Sequence, residues 1–182
     1  MLRKAKVNAS LDQVSFTVYT SIVYDFLSMR PDTRTDILAI SNSRKNGSKI
    51  VFTNGCFDIL HVGHTRYLAD AKKHGDVLVV GLNSDSSTKG LKGESRPVVT
   101  ELERKEVLLA LKSVDFVCIF DEENPFELIK AILPDVLVKG GDWPIEKIIG
   151  ADVVKQNGGD VYSLPFYPGH SSTGLIERIV KL

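Results

Sequence analysis

The run Asp76-Val77-Leu78-Val79-Val80-Gly81-Leu82 constrains the fold most. It is almost continuously apolar, far too short to cross a membrane, and lacks the alternation of a strand with one wet face. Such a run suits a strand covered on both faces, as in a parallel sheet. Similar short runs recur downstream. Residues 49–53, 116–120, 135–138 and 160–164 read as further strands. Between them, residues 62–74 read as a helix with Tyr67, Leu68 and Ala71 on one face. Residues 101–112 form a second helix, with Val107, Leu108 and Leu111 at helical spacing, and residues 125–133 a third, capped by Asn124. A short helix is expected near 145–149, leading into 151–157, and a last helix over 173–180. Residues 84–98, rich in Ser, Gly and Lys, read as a functional loop. Strands alternating with helices imply right-handed βαβ units. The expected architecture is α/β: a doubly wound, five-stranded parallel sheet with helices on both faces.

The chain has 182 residues, 43% of them hydrophobic and 25% charged. That is enough to bury one core without staples. Its 23 basic and 23 acidic side chains cancel. This argues against a nucleic-acid partner, but leaves room for one local basic pocket. No apolar run reaches the roughly 18 residues of a membrane span. Cys56 and Cys118 form neither a disulfide framework nor a zinc site, and are read as reduced thiols. Residues 1–48 have no clear period and are set apart as an extension to a domain over 49–182. Pro31-Asp32-Thr33 reads as a turn followed by a helix start, and Asn46-Gly47 as a turn. Arg3, Lys4 and Lys6, with the apolar stretch 14–27, loosely imitate a signal peptide. Asp25 interrupts that stretch and no small-residue cleavage site follows, so a cytoplasmic protein is expected.

In a Rossmann-like sheet, ligands bind beyond the carboxyl ends of the strands, where strand order reverses. The loop after the first strand, Asn54-Gly55-Cys56-Phe57-Asp58-Ile59-Leu60-His61-Val62-Gly63-His64, is the informative one. Gly55 permits a sharp turn and close approach, and the N–H groups of the loop and following helix can cradle phosphate. His61 and His64, three residues apart at a helix start, face one side, and Gly63 leaves room for a nucleotide. Attack of a phosphate oxygen on a nucleotide α-phosphorus builds negative charge on non-bridging oxygens. Two imidazole donors and a helix N-terminus suit that charge. The loop is neither a G-x-G-x-x-G fingerprint nor a P-loop, and no third ligand stands at zinc spacing.

Thr53-Asn54-Gly55-Cys56-Phe57-Asp58 with His61-Val62-Gly63-His64 resembles the H-x-G-H nucleotidyltransferases, and within them the adenylyltransferase domain of ADP-heptose synthases. The resemblance starts near residue 49. It implies AMP transfer from ATP, with Mg²⁺, to D-glycero-β-D-manno-heptose 1-phosphate, releasing pyrophosphate. It implies catalytic roles for His61, His64 and Lys92. Thr53, Asn54, Gly55, Phe57, Asp58, Gly63, Asn83, Asp85, Ser172 and Thr173 would bind the nucleotide. Arg96, Arg104, Lys139 and Asp142 would bind the sugar phosphate. The strings Arg96-Pro97-Val98 and Lys139-Gly140-Gly141-Asp142 favour the heptose branch, although Trp143 stands where the family more often has Tyr. The partners are therefore small molecules, with no nucleic acid or membrane, and homodimers are common in the family. The domain is often fused to a sugar kinase. The length here leaves no room for one, so a separate kinase is expected. Two rivals are carried forward. One is a cytidylyltransferase acting on glycerol 3-phosphate or a similar phosphorylated alcohol. The other is a nucleotide-binding module without catalysis, which the retained histidine pair disfavours. His170 is assigned no role.

Overall fold

The computed structural model describes residues 27–141 and 143–182. Arg3, Lys4, Lys6 and Asp25, on which the reading against a signal peptide rests, and Asp142 therefore lie outside the described residues. Five parallel strands, β1 (Ile50–Gly55), β2 (Val77–Asn83), β3 (Phe116–Phe120), β4 (Val136–Gly140) and β5 (Asp160–Leu164), form one sheet in the order β3-β2-β1-β4-β5. The chain moves outward in one direction from β1 to β3, then returns to the other side of β1 for β4 and β5. This is the doubly wound arrangement, with its switch point between β1 and β4.

Alternation along each strand sorts the core into two layers. Ile50, Phe52, Val79, Cys118, Phe120 and Leu137 face one side, while Val51, Leu78, Val80, Val117, Ile119 and Val136 face the other. Helices α2 (Val62–Lys72) and α4 (Glu101–Leu109) cover the second layer through Leu68, Ala71 and Leu108. Helices α5 (Phe126–Ile132) and α6 (Ala151–Gln156) cover the first, with Ile129, Ile132 and Val154 buried. Each fully buried Leu, Ile or Phe contributes about 1.5–3 kcal/mol.

The first layer is completed by α1 (Pro31–Lys45), which comes from the segment set apart as an extension. Pro31 opens the helix, with Asp32 in the first turn and Arg44 and Lys45 in the last, as its dipole favours. Ile37 and Ile40 enter the core beside Cys118 and Phe120. The Thr33 hydroxyl donates to the Ile119 carbonyl at 2.7 Å. Arg44 donates to the carbonyls of Ile132 and Leu133 at the end of α5. Residues 31–45 are thus part of the domain's packing.

The expected loop over 84–98 differs from the structure in its first half, which is the helix α3 (Asp85–Lys92). Ser84 caps it by accepting from the Ser87 N–H at 3.2 Å. The Ser- and Lys-rich composition hid a cap followed by an amphipathic turn. Helix α4 stops at Leu109, short of the expected Lys112, and α5 begins at Phe126, with Pro125 at its cap. The short helix near 145 is a single 3₁₀ turn, Ile145–Lys147. The last helix, α7, spans Ser172–Val180. No helix among the described residues is long and apolar enough to cross a membrane.

Candidate active site

A cavity of about 460 Å³ opens at the carboxyl ends of β1 and β4, at the switch point. His61 is the N-cap of α2, in extended conformation, and His64 lies in the first turn. Their rings stack with centroids 3.8 Å apart and planes 17° apart. The Phe57 ring meets His64 edge-on, at 5.3 Å. Phe57 itself sits at φ +44°, in the left-handed region that side chains disfavour, so the loop holds it in a strained conformation.

The glycines of this segment are needed for space. A Cβ on Gly63 would lie 2.9 Å from the His170 Cβ and 3.0 Å from His61 Nδ1. A Cβ on Gly55 would press on the Phe57 ring at 3.0 Å. Gly55 keeps an ordinary φ, so its value is close packing, and the expected sharp turn falls at Phe57 instead.

Burial disfavours charge on both imidazoles. His64 is lowered to about 4 by burial first, then by the neighbouring His61 and Lys92 charges. His61 is lowered by burial and by His170. The Nδ1 atoms of both rings are buried and have no hydrogen-bond partner among the described residues. Lys92, the last residue of α3, and Lys139, on β4, bring ammonium groups to the same cavity. Lys139 Nζ donates to Asn54 Oδ1 at 3.1 Å, and burial lowers its pKa. Neutral imidazoles, two ammonium groups and the N-terminus of α2 make a wall suited to anionic oxygen.

The described residues singled out in the sequence fall in three places. Asn54, Gly55, Phe57, His61, Gly63, His64, Lys92, Lys139, Ser172 and Thr173 line the cavity. The Ser172 hydroxyl also donates to the Ile59 carbonyl at 2.8 Å, pinning the start of α7 to the first loop. Thr53 is fully buried behind the wall, hydrogen-bonded to the Tyr67 hydroxyl at 2.6 Å.

The others form a polar lattice away from the cavity lining. Arg104 is 1% exposed and donates to the carbonyls of Val99, Cys56 and Asn83 and to Asp85 Oδ1. Asn83 donates to Ser87 Oγ. The Asp58 carboxylate accepts from the Val98 and Val99 N–H groups and pairs with Arg96 Nε. Burial alone would raise the Asp58 carboxyl, but these donors together hold it below its ordinary value. The lattice ties the first loop to the segment after α3.

Sequence reasoning gave no contact role to Tyr67, Trp143, Phe166, Tyr167 or His170, all of which reach the cavity. Phe166 and Tyr167 come just after β5 and Pro165, so their position past a strand's carboxyl end was the available signal.

A family description of cytidylyltransferase-like proteins matches residues 52–178. The bifunctional protein HldE of Geobacter metallireducens is 53% identical over 142 residues, covering 78% of this chain and 29% of that protein. HldE of Citrobacter koseri is 54% identical over 143 residues, covering 79% and 30%. The chain thus spans about 30% of the length of these curated relatives. The crystal structure of a lipopolysaccharide core biosynthesis protein from Thermoplasma volcanium matches with a TM-score of 0.54 and 30% identity, over 66% of this chain and 98% of that one. With the stacked histidine pair inside the matched span, the chain belongs to the cytidylyltransferase-like family of enzymes.

Proposed function

We infer that the protein transfers AMP from ATP to D-glycero-β-D-manno-heptose 1-phosphate, forming ADP-heptose and pyrophosphate. The observation that carries the reaction type is the His61–His64 pair at the start of α2, facing a cavity shared with Lys92 and Lys139. An oxygen of the sugar 1-phosphate attacks the α-phosphorus in line. The bond from that phosphorus to the bridging oxygen breaks, and pyrophosphate leaves with the electron pair. The nucleophile is already ionised, so no general base is required. The protein's part is placement and charge stabilisation. His61 and His64 face the non-bridging α-oxygens, Lys92 the incoming phosphate, and Lys139 the acceptor side.

The choice of heptose and of ATP rests on the Arg96-Pro97-Val98 and Lys139-Gly140-Gly141 strings and on the HldE relatives. The lipopolysaccharide-core role named for the Thermoplasma protein points the same way. Among the described residues lining the cavity none is a carboxylate, so these walls make no cage for a divalent ion. Magnesium fits instead as the nucleotide's own chelate, screening its outer phosphates. The reading places the reaction in the cytoplasm, where ATP is at hand. A homodimer, as the resemblance implies, is checked by light scattering.

The deciding assay offers ATP or CTP with both anomers of the heptose 1-phosphate and with glycerol 3-phosphate, and measures pyrophosphate and the sugar nucleotide. ADP-heptose from one anomer supports the reading. CTP turnover with glycerol 3-phosphate favours the cytidylyltransferase instead. In the same assay His64→Ala should lower turnover by about a hundredfold or more while the fold persists. Near-normal turnover removes the histidine pair from the mechanism.

A further inference from the structure

We propose that the sugar of the acceptor binds in a side pocket lined by Trp143 and Lys147, which makes these two residues determinants of acceptor specificity. This deepens the transferase reading and rests on it. A cavity of about 150 Å³ lies beside the main one and shares Asn54, Lys139 and Trp143 with it. Pro125, Lys147, Ile148 and Ile149 complete its wall. A whole small-molecule site takes roughly 300–1,000 Å³, so this cavity holds one part of a substrate. Successive side chains of a strand point to opposite faces of the sheet. Phe52 of β1 and Leu137 of β4 face the first layer, so Asn54 and Lys139, two residues further on, point to that side as well. Ile148 belongs to the same layer, and Pro125 caps α5, which covers it. Helix α2, which carries the histidine pair, covers the opposite layer. The pocket and the histidines thus flank the carboxyl edge of the sheet from its two sides, with Lys139 between them. In an in-line transfer the incoming and leaving oxygens lie on opposite sides of the phosphorus. With the leaving group on the α2 side, a phosphate held at Lys139 attacks from the other, and its sugar extends into the pocket.

The lining suits a sugar phosphate. It carries two ammonium groups and, among the described residues, no carboxylate. The Trp143 N–H donates to Ser163 Oγ at 3.0 Å and to the Gly141 carbonyl at 2.9 Å, so its backbone is tied to β5. Its side chain is nonetheless 49% exposed, and core packing does not account for it. Gly141, at φ +106°, lets the indole lie over the turn, since a Cβ there would come within 3.1 Å of Trp143 Nε1. The face of an aromatic ring carries partial negative charge, and the C–H face of a pyranose is slightly positive, so the two stack. Pro125, Ile148 and Ile149 add apolar surface for the same face of the sugar. Arg96 and Arg104, the cations that the family resemblance gives to the sugar phosphate, line neither cavity and are paired with Asp58 and Asp85. Lys147 supplies at the pocket the second positive charge, beside Lys139, that those arginines do not bring there.

The test is steady-state turnover of the full chain, read as pyrophosphate release with ATP and the heptose 1-phosphate, for the wild type, Trp143→Ala, Trp143→Tyr, Lys147→Ala and Lys147→Arg. KM for the sugar phosphate should rise about tenfold in each alanine variant, from a lost stacking partner in one and a lost charged hydrogen bond in the other. KM for ATP should hold in both. Trp143→Tyr and Lys147→Arg should keep most of the affinity, because a ring and a charge remain. Trp143 is the single tryptophan of the chain. Its fluorescence should therefore change saturably with the heptose 1-phosphate, and Lys147→Ala should need about tenfold more of it. An unchanged KM for the sugar phosphate in either alanine variant overturns the pocket. An equal rise in KM for ATP overturns it too, since that marks damage to the shared cavity. A wild type that releases no pyrophosphate with any sugar phosphate overturns the heptose transferase reading, and the pocket falls with it.

Discussion

Asp58 has no exposed side-chain surface, and three donors converge on its carboxylate. The family resemblance implies a nucleotide contact for it. In the fold its partners are Arg96 and the backbone of residues 98 and 99, so it acts as a clamp between the loop after β1 and the strap that follows α3. The two roles give different outcomes for Asp58→Asn. The amide keeps the shape but removes the charge that balances a mostly buried guanidinium. Breaking such a pair costs about 3 kcal/mol. A urea titration should show that loss in the absence of nucleotide. Unchanged stability with weakened ATP binding would restore the contact role. Arg104 follows the same logic. Arg104→Met leaves the Cys56, Asn83 and Val99 carbonyls without their donor, at about 1–3 kcal/mol for each buried group left unpaired. Thermal melting of this variant should fall by several degrees even with saturating substrate. These residues were legible in the sequence as important, and their neighbours in space were not. A motif fixes which side chains sit near a loop, but only the fold decides whether they face the ligand or hold the wall behind it.

At the scale of elements, the strands and most helices could be read from the sequence because their apolar periods are clear and their cores lie in sequence order. One element escaped that reading, and for another, whose start at Pro31 was legible, the packing role was not. Helix α3 is short and polar, carrying only Ser87 and Thr88 into the interior, so its composition resembles a loop. Helix α1 has few apolar residues, and what it covers, Cys118 and Phe120 on β3, lies far away in the chain. The crossovers explain why it is needed. Helices α2 and α4 cover one face of β1, β2 and β3, whereas α5 leaves β3 for β4 on the opposite side of the sheet. The first face near β3 would be bare without α1. Ile40 is fully buried there, so Ile40→Ala should cost about 2–5 kcal/mol. Calorimetry should record the loss as a lower melting temperature. A chain that starts at residue 46 should expose the same apolar surface and bind a hydrophobic dye. A stable, dye-silent truncation would mean that α1 is dispensable.

Across the whole molecule, the switch point joins two demands that oppose each other. The sheet must bury its central strands, and for the proposed transfer the site at their carboxyl ends must hold anionic oxygen. The imidazoles reconcile them by staying neutral when the cavity holds no anion. His64 is lowered from 6.5 to about 4, chiefly by burial, so the unfolded chain binds more protons than the folded one between those values. Stability must therefore fall as pH drops from about 6.5 toward 4. Asp58, held below its ordinary value, adds a further loss at still lower pH. An anion in the cavity reverses the first sign. Phosphate oxygens beside His61 and His64 favour the protonated rings and raise their pKa toward or past the solution value. Nucleotide binding should then take up protons near pH 6, and apparent affinity should strengthen as pH falls toward that value. Titrations in two buffers of different ionisation enthalpy give the uptake directly, as a difference in observed heat. His64→Gln should reduce the uptake, because a neutral amide replaces the ring without a titratable proton. Equal heats in both buffers would place the rings away from the bound phosphates.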